Sequence, residues 1–323
     1  MAKRGLFITR NDFPCVVYDI LKERFDITCW KGVEDVPKNK LIENIKGKFG
    51  ILCTLSNVID KEVIEAAGND FKVVSTCSVG YDHLDVKELK SRGIRIGYTP
   101  GVLTEATAEQ ALAILLATSR RVVESHNLVA SGNWTAKGWG PTWMCGHGLD
   151  ASTVGILGCG RIGFSIMRKL KAFDPSRIFY FSRSEKPEAK QLGAELKPLD
   201  EIMKESDFVV IALSQTPETR GIINKERIAL MKPNAILVNI ARGGLIDQEA
   251  LIEALKNKKI SGAGLDVYAT EPLPADSPLL KMDNVVTTPH IGSATHKSRS
   301  EMGVLSAKNI LAVLDNEKMP AEL

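Results

Sequence analysis

The sequence predicts an α/β protein of two domains, each built around a parallel β-sheet. Three observations support this. The chain has 323 residues, which is more than one ordinary hydrophobic core accommodates. Short apolar runs typical of strands alternate with helical patterns almost throughout, which favours parallel sheets covered by helices. These runs form two series, and a glycine-rich turn follows the first run of the second series.

The composition is that of a globular protein. Charged residues make up 25% of the chain and hydrophobic residues 44%, and the net charge of +3 is spread along it. No basic block indicates nucleic-acid binding, and no apolar run is long enough to span a membrane. The N-terminus is typical of a first strand and not of a signal peptide. We therefore expect a cytoplasmic protein that binds neither nucleic acid nor a membrane.

The six cysteines are scattered, and several lie inside apolar runs. Neither a CxxC pair nor a Cys/His cluster has the spacing of zinc ligands. This predicts reduced thiols and no metal site.

The strand predictions follow the chain in order. The first series comprises segments 5–10, 26–30, 50–55, 72–78 and 95–100, and the second comprises 153–158, 178–182, 208–213, 235–240, 262–267 and 285–290. Helical patterns such as 187–192 and 247–257 separate the strands.

Two further segments lie between the series. Residues 104–132 have apolar residues at helical spacing, which predicts one long helix, and Thr107 with Gln110 predicts a capping box. The small apolar side chains of this helix suit packing within the chain or against a second subunit. Residues 132–148 are aromatic, glycine-rich and aperiodic, which predicts a long loop of the kind that often has a function.

The turn after the sixth predicted strand has the pattern GxGxxG, with Gly158, Gly160 and Gly163. It follows a predicted strand and begins an amphipathic helix, which is the context that a dinucleotide-binding turn requires. The glycines permit a tight turn, a close approach to a pyrophosphate and close helix–strand packing. The helix N-terminus would supply N–H donors to the phosphates.

The end of the next predicted strand bears on the choice of cofactor. In NAD-binding versions of this turn an acidic residue there binds the ribose hydroxyls. Here the chain has Ser182, Arg183 and Ser184, a set suited to a 2′-phosphate, so the sequence favours NADP(H) over NAD(H). The alternative is a solvated loop in which Glu185 takes the role of the acid.

Three polar residues follow later predicted strands: Arg242, Glu271 and His290. Ligands of open α/β sheets bind beyond the carboxyl ends of the strands. There the histidine can exchange a proton with a carbonyl oxygen, and the carboxylate can hold the other ring nitrogen. A guanidinium is costly to bury without a partner, so we expect Arg242 to be buried against a substrate carboxylate.

Six segments from both series carry a resemblance to one family. They read STCSVGYDHLD, RGIRIGYTPGVLTEATAEQ, STVGILGCGRIG, LVNIARGGLIDQEAL, GAGLDVYATEPLP and TTPHIGSAT. The chain resembles the D-isomer-specific 2-hydroxyacid dehydrogenases over essentially its whole length, and among them the glyoxylate/hydroxypyruvate reductases most closely. The resemblance implies a Rossmann-type cofactor domain (104–291) inserted in a flavodoxin-like substrate domain (1–103 and 292–323). It also implies a homodimer formed through the cofactor domain.

The resemblance also implies an activity and roles for particular residues. The activity is the reduction of glyoxylate to glycolate and of hydroxypyruvate to D-glycerate, with Arg242, Glu271 and His290 as catalytic residues. Val79 and Gly80 would bind the substrate carboxylate, Leu55 would line the pocket, and Trp139 or its neighbour Trp143 would reach the partner's active site. The implied cofactor contacts are Thr107, Gly158, Gly160, Arg161, Ile162, Gly163, Ser182, Arg183, Ser184, Leu213, Ile240, Arg242, Asp266, His290 and Gly292.

Other interpretations share parts of this pattern. Formate dehydrogenases carry glutamine where Glu271 stands. A short phosphoglycerate dehydrogenase would also fit, although that group often has an additional regulatory domain. A protein of another class, a dinucleotide-sensing corepressor without enzymatic activity, would keep the same three polar residues, so those residues do not distinguish it.

Overall fold

The computed structural model describes residues 3–32, 34–135 and 139–323. Part of the predicted loop, residues 136–138, therefore lies outside the described residues. The chain divides into two compact units. The terminal unit consists of Met1–Leu103 and Ala294–Leu323, and the central unit of Thr104–Ser293. The sequence placed the second boundary after residue 291, two residues earlier.

The terminal unit contains a five-stranded parallel sheet. Its strands are β1 (Arg4–Ile8), β2 (Phe25–Cys29), β3 (Gly50–Cys53), β4 (Val73–Thr76) and β5 (Arg95–Gly97). Its helices are α1 (Cys15–Lys22), α2 (Lys38–Ile45), α3 (Lys61–Ala67), α4 (Val86–Ser91) and the C-terminal α12 (His296–Leu314). The strand order β2-β1-β3-β4-β5 is that of flavodoxin-like folds.

Both faces of this sheet are buried. Phe7 and Ile51 belong to one apolar cluster, while Leu6 and Leu52 belong to another that includes α12 residues. Alternate residues of a strand point to opposite faces, so a continuous apolar run is what a sheet covered on both sides requires.

The central unit contains a seven-stranded parallel sheet. Its strands are β6 (Thr153–Leu157), β7 (Arg177–Phe181), β8 (Glu195–Leu196), β9 (Phe208–Ile211), β10 (Ile236–Asn239), β11 (Gly262–Leu265) and β12 (Val285–Thr287). Its helices are α5 (Thr104–Ser119), α6 (Val122–Ala130), α7 (Arg161–Leu170), α8 (Pro187–Gln191), α9 (Leu199–Glu205), α10 (Lys225–Leu230) and α11 (Gln248–Lys256).

The strand order of the central unit is β12-β11-β10-β9-β6-β7-β8. Counted within the unit and read from the other edge, this is 3-2-1-4-5-6-7, the doubly wound order of dinucleotide-binding folds. The order reverses next to β6, so the turn after β6 opens at the switch point where such folds bind their ligands. The predicted fold class is confirmed.

The prediction of one long helix over 104–132 was wrong. The helix ends at Ser119, and α6 begins at Val122 after Arg121 adopts a left-handed conformation with φ of 55°. A non-glycine residue in that conformation gives no reliable signal in the sequence. The predicted capping box was also wrong, because α5 starts at Thr104 and Thr107 lies within it.

Candidate active site

The catalytic residues predicted from the sequence all follow strands of the central sheet. Arg242 lies three residues after β10, Glu271 six residues after β11, and His290 three residues after β12. These three strands are neighbours and run parallel. Their carboxyl ends therefore lie at one edge of the sheet, which brings the loops that follow them together.

Glu271 and His290 form a hydrogen-bonded pair. The His290 Nδ1 donates to the Glu271 carboxylate over 2.7 Å, and the Tyr268 N–H donates to the other carboxylate oxygen over 2.9 Å. The His290 side chain is 24% exposed. Among the described residues, none is hydrogen-bonded to its Nε2. The ring is thus held by one nitrogen and presents the other.

The pKa of Glu271 lies below its ordinary value. Burial raises it, but the hydrogen bonds from His290 and Tyr268 and the positive charges of His290 and Arg242 outweigh burial and lower the pKa. The carboxyl group is therefore ionised at neutral pH and accepts the Nδ1–H of His290. The Arg242 guanidinium lies close enough to act on this carboxylate.

The backbone around His290 is held by Asp266. Its carboxylate accepts the N–H of Ile291 over 2.9 Å and that of Gly292 over 2.8 Å, and the Thr288 hydroxyl donates to it over 2.6 Å. His290 itself adopts a left-handed conformation with φ of 53°. A non-glycine residue keeps that conformation only where its surroundings enforce it. Asp266 was predicted as a cofactor contact, and within the protein it fixes this turn.

The turn that carries Arg242 is built by Asn239. The Asn239 amide donates to the Arg242 carbonyl over 2.8 Å and accepts the Ala241 N–H over 3.0 Å. The Arg242 Nη1 donates to the Ala241 carbonyl over 2.9 Å. Arg242 is half-buried within the chain, and its burial against a substrate carboxylate stays a prediction.

Each glycine of the GxGxxG turn meets a different steric demand. Gly158 has φ of +106°, and a Cβ there would lie 2.6 Å from the Ala212 carbonyl oxygen. A Cβ at Gly163 would overlap the Gly158 carbonyl oxygen, so α7 packs directly on the turn. A Cβ at Gly160 would meet nothing within 4 Å, which leaves the backbone open on that side. This open backbone at a helix N-terminus suits a pyrophosphate.

The remaining predicted cofactor contacts of the central unit differ in how exposed they are to solvent. Thr107 is buried, and its hydroxyl lacks a hydrogen-bond partner among the described residues. It faces Gly292, where a Cβ would lie 3.4 Å from the Thr107 methyl group. Ile240 is buried, Ile162 and Leu213 are half-buried, and Arg161 is exposed. Buried polar groups are normally hydrogen-bonded, so the buried Thr107 hydroxyl suits a polar ligand.

The turn after β7 is far less constrained. Arg183 and Ser184 are exposed, Ser182 is half-buried, and in the described part of the chain Arg183 has neither a hydrogen bond nor an ion pair. Glu185 pairs with Lys190 over 3.3 Å. The charge of Glu185 is thus partly matched, whereas the Arg183 guanidinium faces solvent.

The predicted substrate residues of the terminal unit lie at the carboxyl ends of two neighbouring strands. Val79 and Gly80 follow β4, Leu55 follows β3, and all three are half-buried. The N–H groups of Val79 and Gly80 donate to none of the residues that the structure describes. Two adjacent open N–H donors are suited to bind an anion.

The aromatic loop exposes its tryptophans. Trp139 is 79% exposed, and Trp134 and Trp143 are also exposed. The preceding helix α6 is fully described and has no buried residue. Its exposed apolar side chains are Val122, Val123 and Val129.

Comparison with known proteins identifies the family. The model of the D-isomer specific 2-hydroxyacid dehydrogenase, NAD binding domain, matches residues 112–292. The chain belongs to this family. It is 48% identical over 299 residues to the glyoxylate reductase/hydroxypyruvate reductase of Mus musculus, covering 92% of this chain and 90% of the mouse protein.

Two further relatives extend the match. The glyoxylate reductase of Pyrococcus furiosus is 48% identical over 321 residues, which cover 98% of this chain and 94% of that protein. An NADPH-dependent glyoxylate/hydroxypyruvate reductase from Sinorhizobium meliloti, solved with NADP and malonate, superposes with a TM-score of 0.87 at 28% identity. That superposition covers all of this chain and 97% of the other. The family resemblance seen in the sequence is confirmed.

Two features of this dehydrogenase were missed by the sequence reasoning. Asn239 and Thr288 hold the turns that carry Arg242 and His290, but polar residues at strand ends look like ordinary turn residues. The available sequence signal is a polar residue at the last position of an otherwise apolar strand. Asn239 ends β10 and is fully buried, which an amide tolerates only when hydrogen-bonded.

Two features are absent from the described residues. No group of three or more His, Cys, Asp or Glu side chains is arranged to hold a metal ion. No described helix is both long and apolar enough to cross a membrane. Cys159, inside the glycine turn, is buried, and burial raises the pKa of its thiol to about 11. It therefore packs as a neutral thiol.

Proposed function

We propose that this dehydrogenase reduces small 2-oxo acids, converting glyoxylate to glycolate and hydroxypyruvate to D-glycerate. One observation carries the proposal: His290 is oriented by an ionised Glu271 through Nδ1, and its Nε2 is open, at the same sheet edge as the glycine turn. The printed activities of the mouse and Pyrococcus relatives support this choice of substrates.

The cofactor-binding residues fit a nicotinamide dinucleotide. The open backbone at Gly160 and the first N–H groups of α7 would hold the pyrophosphate, and the orphan Thr107 hydroxyl would donate to a polar group of the bound molecule. When bound, the reduced nicotinamide supplies the hydride that the carbonyl carbon of the acid accepts. The other roles in the reaction belong to residues of this protein.

The proton comes from His290. Its Nε2–H donates to the carbonyl oxygen of the substrate and transfers the proton as negative charge develops there. Glu271 keeps the Nδ1–H occupied, so Nε2 is the nitrogen that faces the substrate, and its negative charge stabilises the imidazolium. Arg242 binds the substrate carboxylate as a charged fork. In the terminal unit, the N–H groups of Val79 and Gly80 are the donors suited to a substrate carboxylate.

We propose that NADPH is preferred over NADH. Arg183, exposed and without a partner among the described residues, stands with Ser182 and Ser184 at the end of β7. A 2′-phosphate offers such a guanidinium charge-assisted hydrogen bonds that a ribose hydroxyl does not. Glu185, the alternative residue for binding the ribose hydroxyls, forms an ion pair with Lys190.

The terminal unit favours an uncharged substituent on the acid. Leu55 presents an apolar side chain after β3, which suits a hydrogen or a CH₂OH group. Arg10, after β1, is neutralised by two hydrogen bonds to Asp12, at 2.8 and 2.7 Å, and by one to Asp35 at 3.3 Å. Its charge is therefore already matched, so a phosphorylated acid finds no unmatched cation there.

We propose a homodimer formed through the central unit. The exposed apolar residues of α6 and the adjoining tryptophans would be covered by a second copy, as expected of a patch of this kind. In that dimer Trp139, or Trp143, would reach the partner's active site. The six cysteines are all free, which suits the reducing cytoplasm.

The deciding experiment measures catalytic efficiency for five acids with each cofactor. The acids are glyoxylate, hydroxypyruvate, pyruvate, phenylpyruvate and 3-phosphohydroxypyruvate. We expect the first two to be best, with pyruvate lower, since one small group is worth only about 10–200-fold. A preference for the phosphorylated acid would indicate a short phosphoglycerate dehydrogenase. Dinucleotide binding without turnover of any acid would indicate a sensing protein instead.

A further inference from the structure

His83 is buried in the terminal unit and stands at the start of a chain of hydrogen bonds. Its Nε2 lies 2.9 Å from the Thr76 hydroxyl, which lies 2.8 Å from the Ser78 hydroxyl. The Ser78 hydroxyl lies 2.7 Å from the Gly80 carbonyl oxygen. We call these three side chains, His83, Thr76 and Ser78, the relay. It ends on the loop proposed to bind the substrate carboxylate.

The chemistry of the last bond sets the direction of the whole relay. A carbonyl oxygen only accepts, so the single Ser78 proton must lie between Ser78 and Gly80. Ser78 therefore accepts the Thr76 proton, because two oxygens 2.8 Å apart without a proton between them would repel each other. Thr76 in turn must accept, and the only donor left for this contact is the Nε2–H of His83. Each member of the relay thus holds the next.

A hydrogen bond outside the relay holds the other side of the loop. The Ser78 carbonyl accepts the Thr99 N–H over 2.9 Å. The carbonyl groups of Ser78 and Gly80, the residues before and after Val79, are therefore both held, the first by Thr99 and the second by the relay. Peptide groups are planar and trans, so an oriented carbonyl also orients the N–H of the same peptide. The Thr99 bond therefore orients the Val79 N–H, and the relay, by holding the Gly80 carbonyl, limits rotation around Gly80.

We propose that His83 is a positioning residue that sets, through Thr76 and Ser78, the affinity of the Val79–Gly80 loop for the substrate carboxylate. This inference rests on the proposed function, since it requires that the loop bind a 2-oxo acid. His83 does not touch the reacting atoms. Its loss loosens the loop, so binding of the acid suffers while cofactor binding and the chemical step continue.

The test compares variants at the two ends of the relay. His83→Leu removes the donor and keeps an apolar side chain in the buried site, and His83→Gln returns an N–H donor. Ser78→Ala cuts the relay next to the loop with the smallest change in volume. The matched control is Ser91→Ala, because the Ser91 hydroxyl also donates to a carbonyl, that of Glu88, over 2.8 Å in the same unit.

For His83→Leu and Ser78→Ala we expect the KM for glyoxylate to rise about tenfold, the size of one lost hydrogen bond. The inhibition constant of oxamate, a carboxylate that is not reduced, should rise in parallel. The turnover number and the KM for NADPH should stay within about twofold, and His83→Gln should recover most of the loss. The double variant should be no worse than Ser78→Ala, because both changes cut one relay.

The outcomes separate the two proposals. If the wild-type protein reduces no 2-oxo acid, the proposed function fails and this inference falls with it. If the wild type is active, an unchanged KM in a folded Ser78→Ala variant overturns the relay alone. Effects of the two substitutions that add, a fall in turnover number in place of a rise in KM, or an equal effect of Ser91→Ala would overturn it as well.

Discussion

Two carboxylates at opposite edges of the central sheet are held by similar contacts and serve different purposes. Asp207 lies just before β9 and accepts the Thr153 N–H at 2.9 Å, the Lys232 ammonium at 2.9 Å and the Asn234 amide at 3.2 Å. Glu271, at the carboxyl edge, accepts the Tyr268 N–H and the Nδ1–H of His290. Both pKa values lie below their ordinary range.

The two carboxylates differ in whether a hydrogen-bond partner keeps a second atom available for proton transfer. The partners of Asp207 come from the starts of β6 and β10 and from their loops, and they tie strand ends together. The principal partner of Glu271 is a ring with a second nitrogen that can transfer a proton. A lowered pKa therefore does not by itself distinguish a structural carboxylate from one in an active site. The deciding feature is a partner with an open, titratable atom.

The largest expected effect comes from removing that atom. His290→Gln keeps a polar side chain but cannot exchange a proton in this pH range, so the turnover number should fall about 10²–10⁴-fold. NADPH binding, measured by fluorescence titration, should be unchanged. The same substitution at the exposed His296 is the control and should leave turnover at the wild-type level. Undiminished reduction by His290→Gln would mean that another group supplies the proton.

Glu271→Gln should have a smaller effect on rate and a distinct effect on pH dependence. The amide keeps a hydrogen-bonding oxygen, but the negative charge that favours the imidazolium is lost. Because the pKa of Glu271 lies below its ordinary value, the wild-type rate should fall in acid as this carboxylate becomes protonated, and Glu271→Gln should lack that acid limb in its kcat/KM profile. Near neutral pH we expect a loss of about 10–100-fold, the value of a charged hydrogen bond.

The pH profile should be measured from about pH 3 to 8, which includes the ordinary range of a carboxyl group. Asp207→Asn removes a carboxylate from the same unit at the other edge, and it should leave the profile unchanged. A uniform loss of rate in Glu271→Gln that keeps the acid limb of the wild type would contradict the role assigned to the carboxylate.

Arg183→Ala tests the proposed cofactor preference at a residue that follows the carboxyl end of β7 and does not touch the reacting atoms. We expect the KM for NADPH to rise about tenfold, since an exposed charge-assisted contact is screened by solvent, and the KM for NADH to stay nearly constant. Arg177→Ala is the control, because Arg177 begins the same strand at its amino end. A wild type that prefers NADH, or a variant in which both KM values rise alike, would refute the assignment.

Asp207→Asn should have no effect on catalysis and a measurable effect on stability. The amide cannot accept all three donors, so the free energy of unfolding should fall by about 1–3 kcal/mol at neutral pH. Because the folded-state pKa of Asp207 lies below the ordinary 3.8, its contribution is present above that pH and is lost as pH falls through the folded value.

Urea unfolding at a series of pH values measures this contribution. The difference between wild type and Asp207→Asn should shrink as the pH drops below about 4. A difference that persists unchanged in acid would mean that the substitution acts through packing and not through the ionised carboxylate.

Much of the fold could be predicted from the sequence, for a physical reason that particular elements show. Strands such as β3 and β9 are buried on both faces, so they read as unbroken apolar runs between polar loops. The two-residue strand β8 was missed, since both of its residues are exposed and neither shows an apolar pattern. The break between α5 and α6 was missed because the residues that allow it, Arg120 and Arg121, are ordinary helix formers.

The candidate site, too, could be predicted from the sequence only in part. Glycines and strand-end polar residues could be located because the backbone at a tight turn and the carboxyl end of a strand impose requirements that are visible along the chain. The Glu271–His290 contact joins residues 19 apart, and that of Asp266 with Gly292 joins residues 26 apart. Spacing alone does not say which atoms meet.

For this protein the sequence by itself determined the doubly wound architecture, the place of the dinucleotide turn and the identities of the polar residues at strand ends. These depend on local patterns: alternation, apolar runs, and glycines where a Cβ would collide. Only the tertiary structure decided that Arg242 is half-buried, that Asp266 supports the His290 turn, and that the His83 ring meets the Thr76 hydroxyl. Burial and hydrogen-bond partners are set when distant segments pack together, because they depend on distances in space that the order of residues does not specify.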